Sequence, residues 1–102
     1  MPISVDPNLT ANQTWQSVTR SNGVTYYNTT GKPIIFKGDL CSISNGGSSL
    51  VVNGVSVGMQ GAGYNGSGTQ WYTGSPVIIP INASYVWSMG GSWSTAQAYE
   101  FR

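Results

Sequence analysis

Leu50-Val51-Val52-Asn53-Gly54-Val55-Ser56-Val57 is the stretch from which the fold can be read. Asn-Gly between two apolar runs is the preferred pair for a two-residue type I′ turn, because both central residues need positive φ. The turn predicts a hairpin that pairs Val52 with Val55 and Leu50 with Val57 on one face. Val51 and Ser56 take the other face. One side of this hairpin is then core and the other faces water.

The same period of two extends outward from the hairpin. Tyr85, Trp87 and Met89 share a face in Tyr85-Val86-Trp87-Ser88-Met89. Just before it, Val77-Ile78-Ile79-Pro80-Ile81 carries a proline, which cannot donate to a ladder; the segment is therefore an edge strand or a kink between sheets. Upstream, Val24 and Tyr26 oppose Thr25 and Tyr27. Turn chemistry follows at Asn28-Thr29-Thr30-Gly31-Lys32-Pro33, and an apolar run resumes from Pro33 to Phe36. At the close, Tyr99 and Phe101 face one way, Glu100 and Arg102 the other. Gly or Pro interrupts the chain nearly every ten residues, which predicts short strands, roughly seven or eight of them. The pattern is all-β, a compact antiparallel sandwich or jelly-roll-like knob. Its predicted core is Trp15, Tyr26, Val52, Val55, Ile79, Tyr85 and Trp87. Residues 1–12 hold two prolines and no periodicity, and read as an extended lead-in or linker before a single domain at 13–102.

Composition removes several functions. About half of the 102 residues are Gly, Ser, Thr, Asn or Gln. The charged residues are four cations, Arg20, Lys32, Lys37 and Arg102, and three acids, Asp6, Asp39 and Glu100; there is no His. Four scattered cations are no nucleic-acid footprint. One Cys and three distant acids cannot make a zinc site, so neither a metal nor another cofactor is expected. Exposed helix faces need Glu, Lys, Arg and Ala, which are scarce here. Cys41 has no partner for a disulfide within the chain and reads as a small apolar side chain. The opening lacks the basic and apolar regions of a signal peptide, and no apolar run approaches the roughly 20 residues of a membrane helix. Membrane insertion is not expected.

Catalytic motifs fail in instructive ways. Gly61-Ala62-Gly63-Tyr64-Asn65-Gly66 matches the spacing of a dinucleotide loop, but a poor helix follows and no acid comes before Glu100. Thr30-Gly31-Lys32 resembles the end of a phosphate loop, yet position 26 is Tyr and Pro33 stands where Ser or Thr belongs. Glycosidic hydrolysis usually needs two carboxylates flanking the bond. Of the three acids, Asp6 lies in the lead-in and Glu100 sits beside Arg102, where an ion pair is the simpler reading. No enzyme is expected. The Asn-x-Ser/Thr triplets at Asn8, Asn12, Asn28, Asn65 and Asn82 read as turn residues.

What remains is a neutral surface chemistry. Tyr64, Trp71 and Tyr72 sit in or beside the glycine-rich stretch Gly61–Gly68, with Asn65 and Gln70 among them. Trp93 lies in a second glycine loop, Gly90-Gly91-Ser92-Trp93-Ser94. Aromatic faces stack on the C–H faces of sugars, while amides and hydroxyls bond sugar hydroxyls. These six residues are the candidate ligand site. Such a site needs no charge, and residues 42–98 contain none.

Three stretches resemble a known family. Gln13-Thr14-Trp15-Gln16-Ser17-Val18-Thr19-Arg20, followed by Gly23-Val24-Thr25-Tyr26-Tyr27-Asn28-Thr29-Thr30-Gly31-Lys32-Pro33-Ile34, resembles the opening of a C-terminal tip domain of bacteriophage tail fibres. Ile78-Ile79-Pro80-Ile81-Asn82-Ala83-Ser84-Tyr85 resembles its middle, a proline-bearing strand before a Tyr strand. Tyr99-Glu100-Phe101-Arg102 resembles its terminal strand, commonly Trp-x-Glu-Leu-Arg, with the aromatic shifted by one or two positions. Similar domains end the tip adhesins of conjugative type IV pili. The resemblance implies a homotrimeric knob at the tip of a virion tail fibre, or at an extracellular pilus tip. It also implies binding to a host surface through lipopolysaccharide or an outer-membrane receptor, with specificity carried by residues 38–76. Twelve aromatics beside so few charges are likewise in keeping with self-association. The rival readings are a trimerisation cap that binds no receptor and a small polysaccharide-cleaving tip.

Overall fold

A computed structural model describes residues 12–59 and 70–102, apart from the side chains at 42–46, 59, 70, 92 and 94. All the regular structure among them is strand: β1 (Trp15–Val18), β2 (Thr25–Tyr27), β3 (Ile34–Val52), β4 (Val55–Met59), β5 (Gln70–Thr73), β6 (Val77–Ile79) and β7 (Ser84–Phe101). Every pairing is antiparallel.

The short-strand expectation fails at β3 and β7, which run 19 and 18 residues. They pair with each other from Ile35↔Phe101 to Val52↔Tyr85. The glycines inside them do not end the strands, because each strand satisfies the other's backbone groups across the ladder. This long ribbon is doubled over. Phe36 lies near one end of it, opposite Glu100, and Trp87 near the other, opposite Leu50. A straight strand would hold Phe36 and Leu50 about 46 Å apart. Yet the Phe36 ring is 5.5 Å from that of Trp87 and 6.1 Å from that of Tyr85. The fold lies in the interval between, where the register shifts between Cys41 and Asn45 and Gly91 takes a φ of 72°. Bulges of this kind bend and twist a ribbon.

Two layers result. In the first, β1 flanks the C-terminal half of β7, while β5 and β6 flank the N-terminal half of β3. In the second, β2 flanks the start of β7 and β4 the end of β3. Ile34, Phe36, Leu50, Val52, Ile79, Ala83, Tyr85, Trp87 and Ala98 fill the space between, with Tyr26 and Met89 packed against them. Burying a side chain the size of Ile, Leu, Val or Phe stabilises the fold by about 1.5–3 kcal/mol.

The turns follow their chemistry. Asn53 and Gly54 have φ of 50° and 82°, as a type I′ turn requires. Val52 pairs with Val55 and Val51 with Ser56 as expected, but a bulge then pairs Leu50 with Gly58 in place of Val57. Val55 is 62% exposed and Val57 43%, so Val55 is not core: among the described residues β4 pairs with β3 alone and is the margin of its layer. Trp15, half exposed on the outside of the first layer, is also not core. Asn28 ties two turns together. Its Nδ2 donates to the carbonyls of Lys32, Ile79 and Pro80 at 2.7–3.1 Å, and its Oδ1 accepts from Thr30.

Candidate functional site

The outer face of the first layer is built by the two-residue alternation of its strands. Ala96, Ala98 and Glu100 of β7 turn inward, so Gln97, Tyr99 and Phe101 turn outward. The register then sets out rows across the sheet: Trp15, Phe101, Ile35 and Ile78; Ser17, Tyr99 and Lys37; Gln97, Asp39 and Thr73; Thr95, Cys41 and Trp71. From the first row to the last is roughly 20 Å along the strands.

Aromatics stand along this face. Trp15 packs on Phe101 with ring centroids 5.6 Å apart and leaves half its surface free. Tyr99 lies midway, with Lys37 Nζ 5.4 Å from its ring centroid and its hydroxyl donating to Gln97 Oε1 at 2.8 Å. Trp71, 54% exposed, stands at the other end. Between them runs an open groove of about 380 Å³ lined by Asp39, Trp71, Thr73, Gln97 and Tyr99. It continues into a recess of about 340 Å³ lined by Trp15, Lys37, Asp39 and Tyr99. Lys37 neutralises Asp39: Nζ is 3.0 Å from Oδ1 and donates to Oδ2 at 3.2 Å, and only the second contact has hydrogen-bond geometry. Oδ1 is buried against this contact and accepts no hydrogen bond. The floor is thus polar, paired in charge and walled by aromatic rings.

The sequence candidates are dispersed by this geometry. Tyr64 and Asn65, with the rest of Gly61–Gly68, lie outside the described residues, as does the side chain of Gln70. Trp71 is at the groove. Tyr72 pairs with buried Leu40 and turns to the other side of the sheet, since neighbours on a strand cannot share a face. Trp93 stands within β7 opposite Ser42, half-buried, where a loop was expected. Sequence reasoning missed Trp15, Lys37, Asp39, Thr73, Gln97 and Tyr99. The shared face of Tyr99 and Phe101 was legible, but not that this face is the uncovered one.

Behind the platform lies a charged cluster. Glu100 is fully buried and takes a forked contact from Arg20, Nε to Oε2 at 2.8 Å and Nη2 to Oε1 at 3.0 Å. Arg102 Nη1 donates to Oε1 at 3.2 Å and the Tyr85 hydroxyl to Oε2 at 2.8 Å. Arg20 also covers the Tyr26 ring at 4.7 Å. Asp39 turns outward and Glu100 inward, so the sheet separates the two carboxylates.

Burial, and then the hydrogen bond to the Glu100 carboxylate and its charge, push the Tyr85 phenol up to about 12; Arg20 opposes this. The folded chain therefore holds this proton more tightly than the unfolded one. The stabilisation is complete below the ordinary phenol value of 10.0 and is lost as pH rises from there through about 12. Two units correspond to about 2–3 kcal/mol. Urea midpoints measured across that window should fall steeply in the native chain and less steeply in Tyr85→Phe; parallel curves would contradict this assignment.

Neither a scan against protein-family models nor searches of curated proteins and of solved structures returned a match to this chain.

Proposed function

We propose that the chain is a non-catalytic receptor-binding tip domain that lays a bacterial surface glycan, such as the saccharide of lipopolysaccharide, along the outer face of its first layer. The observation that carries this reading is the groove between Trp15, Tyr99 and Trp71. Flat rings spaced over roughly 20 Å suit several sugars in a row, and the floor between them offers the Gln97 amide and the Thr73 hydroxyl as partners for their hydroxyls. The charge pairing at Lys37 and Asp39 suits a ligand that is neutral where it touches the groove. The separation of Asp39 from Glu100 gives no support to a cleavage site. The resemblance of residues 13–34, 78–85 and 99–102 to tail-fibre tips supplies the setting, the end of a phage fibre or of a conjugative pilus. On this reading the doubled ribbon is a jelly-roll-like knob that assembles as a homotrimer, in keeping with the exposed Val55, Val57, Ile78 and Ile81. A sedimenting species near the 10.8 kDa of one chain at micromolar concentration would remove the trimer.

Binding to a panel of purified lipopolysaccharides and capsular glycans tests the site. Trp71→Ala should weaken binding about tenfold or more, as truncation of an aromatic anchor does, and Lys37→Ala should weaken it less. Affinity should change less than about threefold between low and physiological salt, since stacking and neutral hydrogen bonds are little screened. A larger loss from Lys37→Ala, or a steep salt dependence, would place recognition on the cations instead. Shortening of the polymer would mean an enzyme.

A further inference from the structure

The register of the first layer sets four groups of the platform on one diagonal. Trp15 lies on β1 in the first row, Tyr99 on β7 in the second, Asp39 on β3 in the third and Trp71 on β5 in the fourth. Each step moves two residues along the strands and one strand across, which is about 8 Å, so the whole line is about 25 Å long. The two openings follow it. The recess is lined by Trp15, Tyr99 and Asp39, and the groove by Tyr99, Asp39 and Trp71.

Both ends of the line are margins. Among the described residues β1 pairs with β7 alone and β5 with β3 alone. Trp15 and Trp71 are each about half exposed there. A ligand on the line can therefore leave the sheet past either ring.

The flanks are polar. Ser17 and Gln97 stand on one side of the line, Lys37 and Thr73 on the other. A pyranose lying flat on an aromatic ring turns its equatorial hydroxyls outward in its own plane, toward such flanks. The Asp39 step has no ring, but Gln97 and Thr73 share its row. A sugar there would be held at its edges instead of its face. The linkages of such a chain are constrained too. A chain joined through equatorial bonds stays a flat ribbon and offers one C–H face after another to the sheet. An axial bond turns the next ring out of that plane, so a bent chain reaches one aromatic and misses the others.

The geometry points to the middle of an extended, equatorially linked polysaccharide as the ligand, laid on the diagonal from Trp15 to Trp71. About five sugars cover the line, since each advances by about 5 Å, close to the distance between neighbouring strands. This inference rests on the glycan-binding reading and names the polymer class for it. A terminal sugar or a compact branched core would use one ring and leave the rest idle.

Calorimetric titration with cello-, manno- and chito-oligosaccharides, all equatorially linked, tests the mode. In at least one series, affinity should rise about tenfold or more from disaccharide to pentasaccharide as further aromatic anchors engage, then level off. Malto-oligosaccharides, linked through an axial bond, should gain nothing with length. Trp15→Ala and Trp71→Ala each remove one end of the line and should flatten the rise. Opening the reducing-end ring of the heptasaccharide by reduction should leave its affinity unchanged. Equal affinity for disaccharide and heptasaccharide, or a loss on opening the end ring, overturns the extended mode and leaves the glycan site standing. A malto series that gains with length in the same way also overturns it. Absence of binding by all the equatorial series overturns the polymer class, while the lipopolysaccharide and capsule panel decides the glycan reading separately.

Discussion

Arg20→Met is expected to destabilise the fold by about 3–5 kcal/mol, the usual cost of stranding one member of a buried ion pair. The guanidinium is the main partner of a fully buried carboxylate. Its side chain is 15% exposed and that of Glu100 is 0%, so water cannot replace it. Arg102 keeps a single contact at 3.2 Å from a side chain 30% exposed, which is too little to neutralise the site. Removing the charge together with its partner should hurt far less. The double variant Arg20→Met/Glu100→Gln strands no ion, and its stability should lie above that of Arg20→Met alone. Urea unfolding of the three chains measures both differences. A loss below about 1 kcal/mol in the single variant, as for a surface ion pair, would mean that Glu100 is not held in the way described.

Gly38→Ala should be nearly as damaging, at about 3 kcal/mol, for a different reason. A Cβ at Gly38 would stand 2.7 Å from Trp87 Cζ2 and 2.8 Å from Cε2. No carbon tolerates that approach, so the ring or the strand must move. The ring is wedged edge-on against Phe36, and the Gly38 carbonyl accepts from Gly74 N at 2.8 Å. Overpacking of a close-fitting core typically costs about 1–3 kcal/mol, and here both neighbours are fixed. The two residues should also be coupled: in a Trp87→Phe background, where the smaller ring leaves room, the same glycine change should cost much less. Equal costs in both backgrounds would separate the glycine requirement from the indole.

Much of the candidate site was invisible in the sequence, and Trp15, Tyr99 and Trp71 show why. Each sits in a strand whose alternation can be read. Yet alternation divides a strand into two faces without saying which face another layer will cover. Trp15 was expected in the core because large aromatics favour burial. It lies outside because β1 pairs at the edge of the first layer with its Trp turned from Trp87 and Phe36. Tyr72 was grouped with Trp71 by nearness in sequence, which in a strand sends two side chains to opposite sides.

Local chemistry was enough for the features that depend on a few adjacent bonds. The type I′ turn follows from the positive φ that Asn53 and Gly54 accept, and the shared inward face of Tyr85 and Trp87 from the pleat; Pro80 left Val77–Ile79 as an edge strand or a kink, and the pairing with β3 alone among the described residues makes it the edge. These depend on steric limits within a few residues, which any sequence carries with it. The doubling of β3 and β7, the burial of Glu100 between two arginines, and the gap above Gly38 that admits an indole depend on residues distant in the chain. Glycine read alone signals a break. Glycine opposite a paired strand, with Trp87 lying against it, marks close packing, and only contact between the two layers distinguishes the cases.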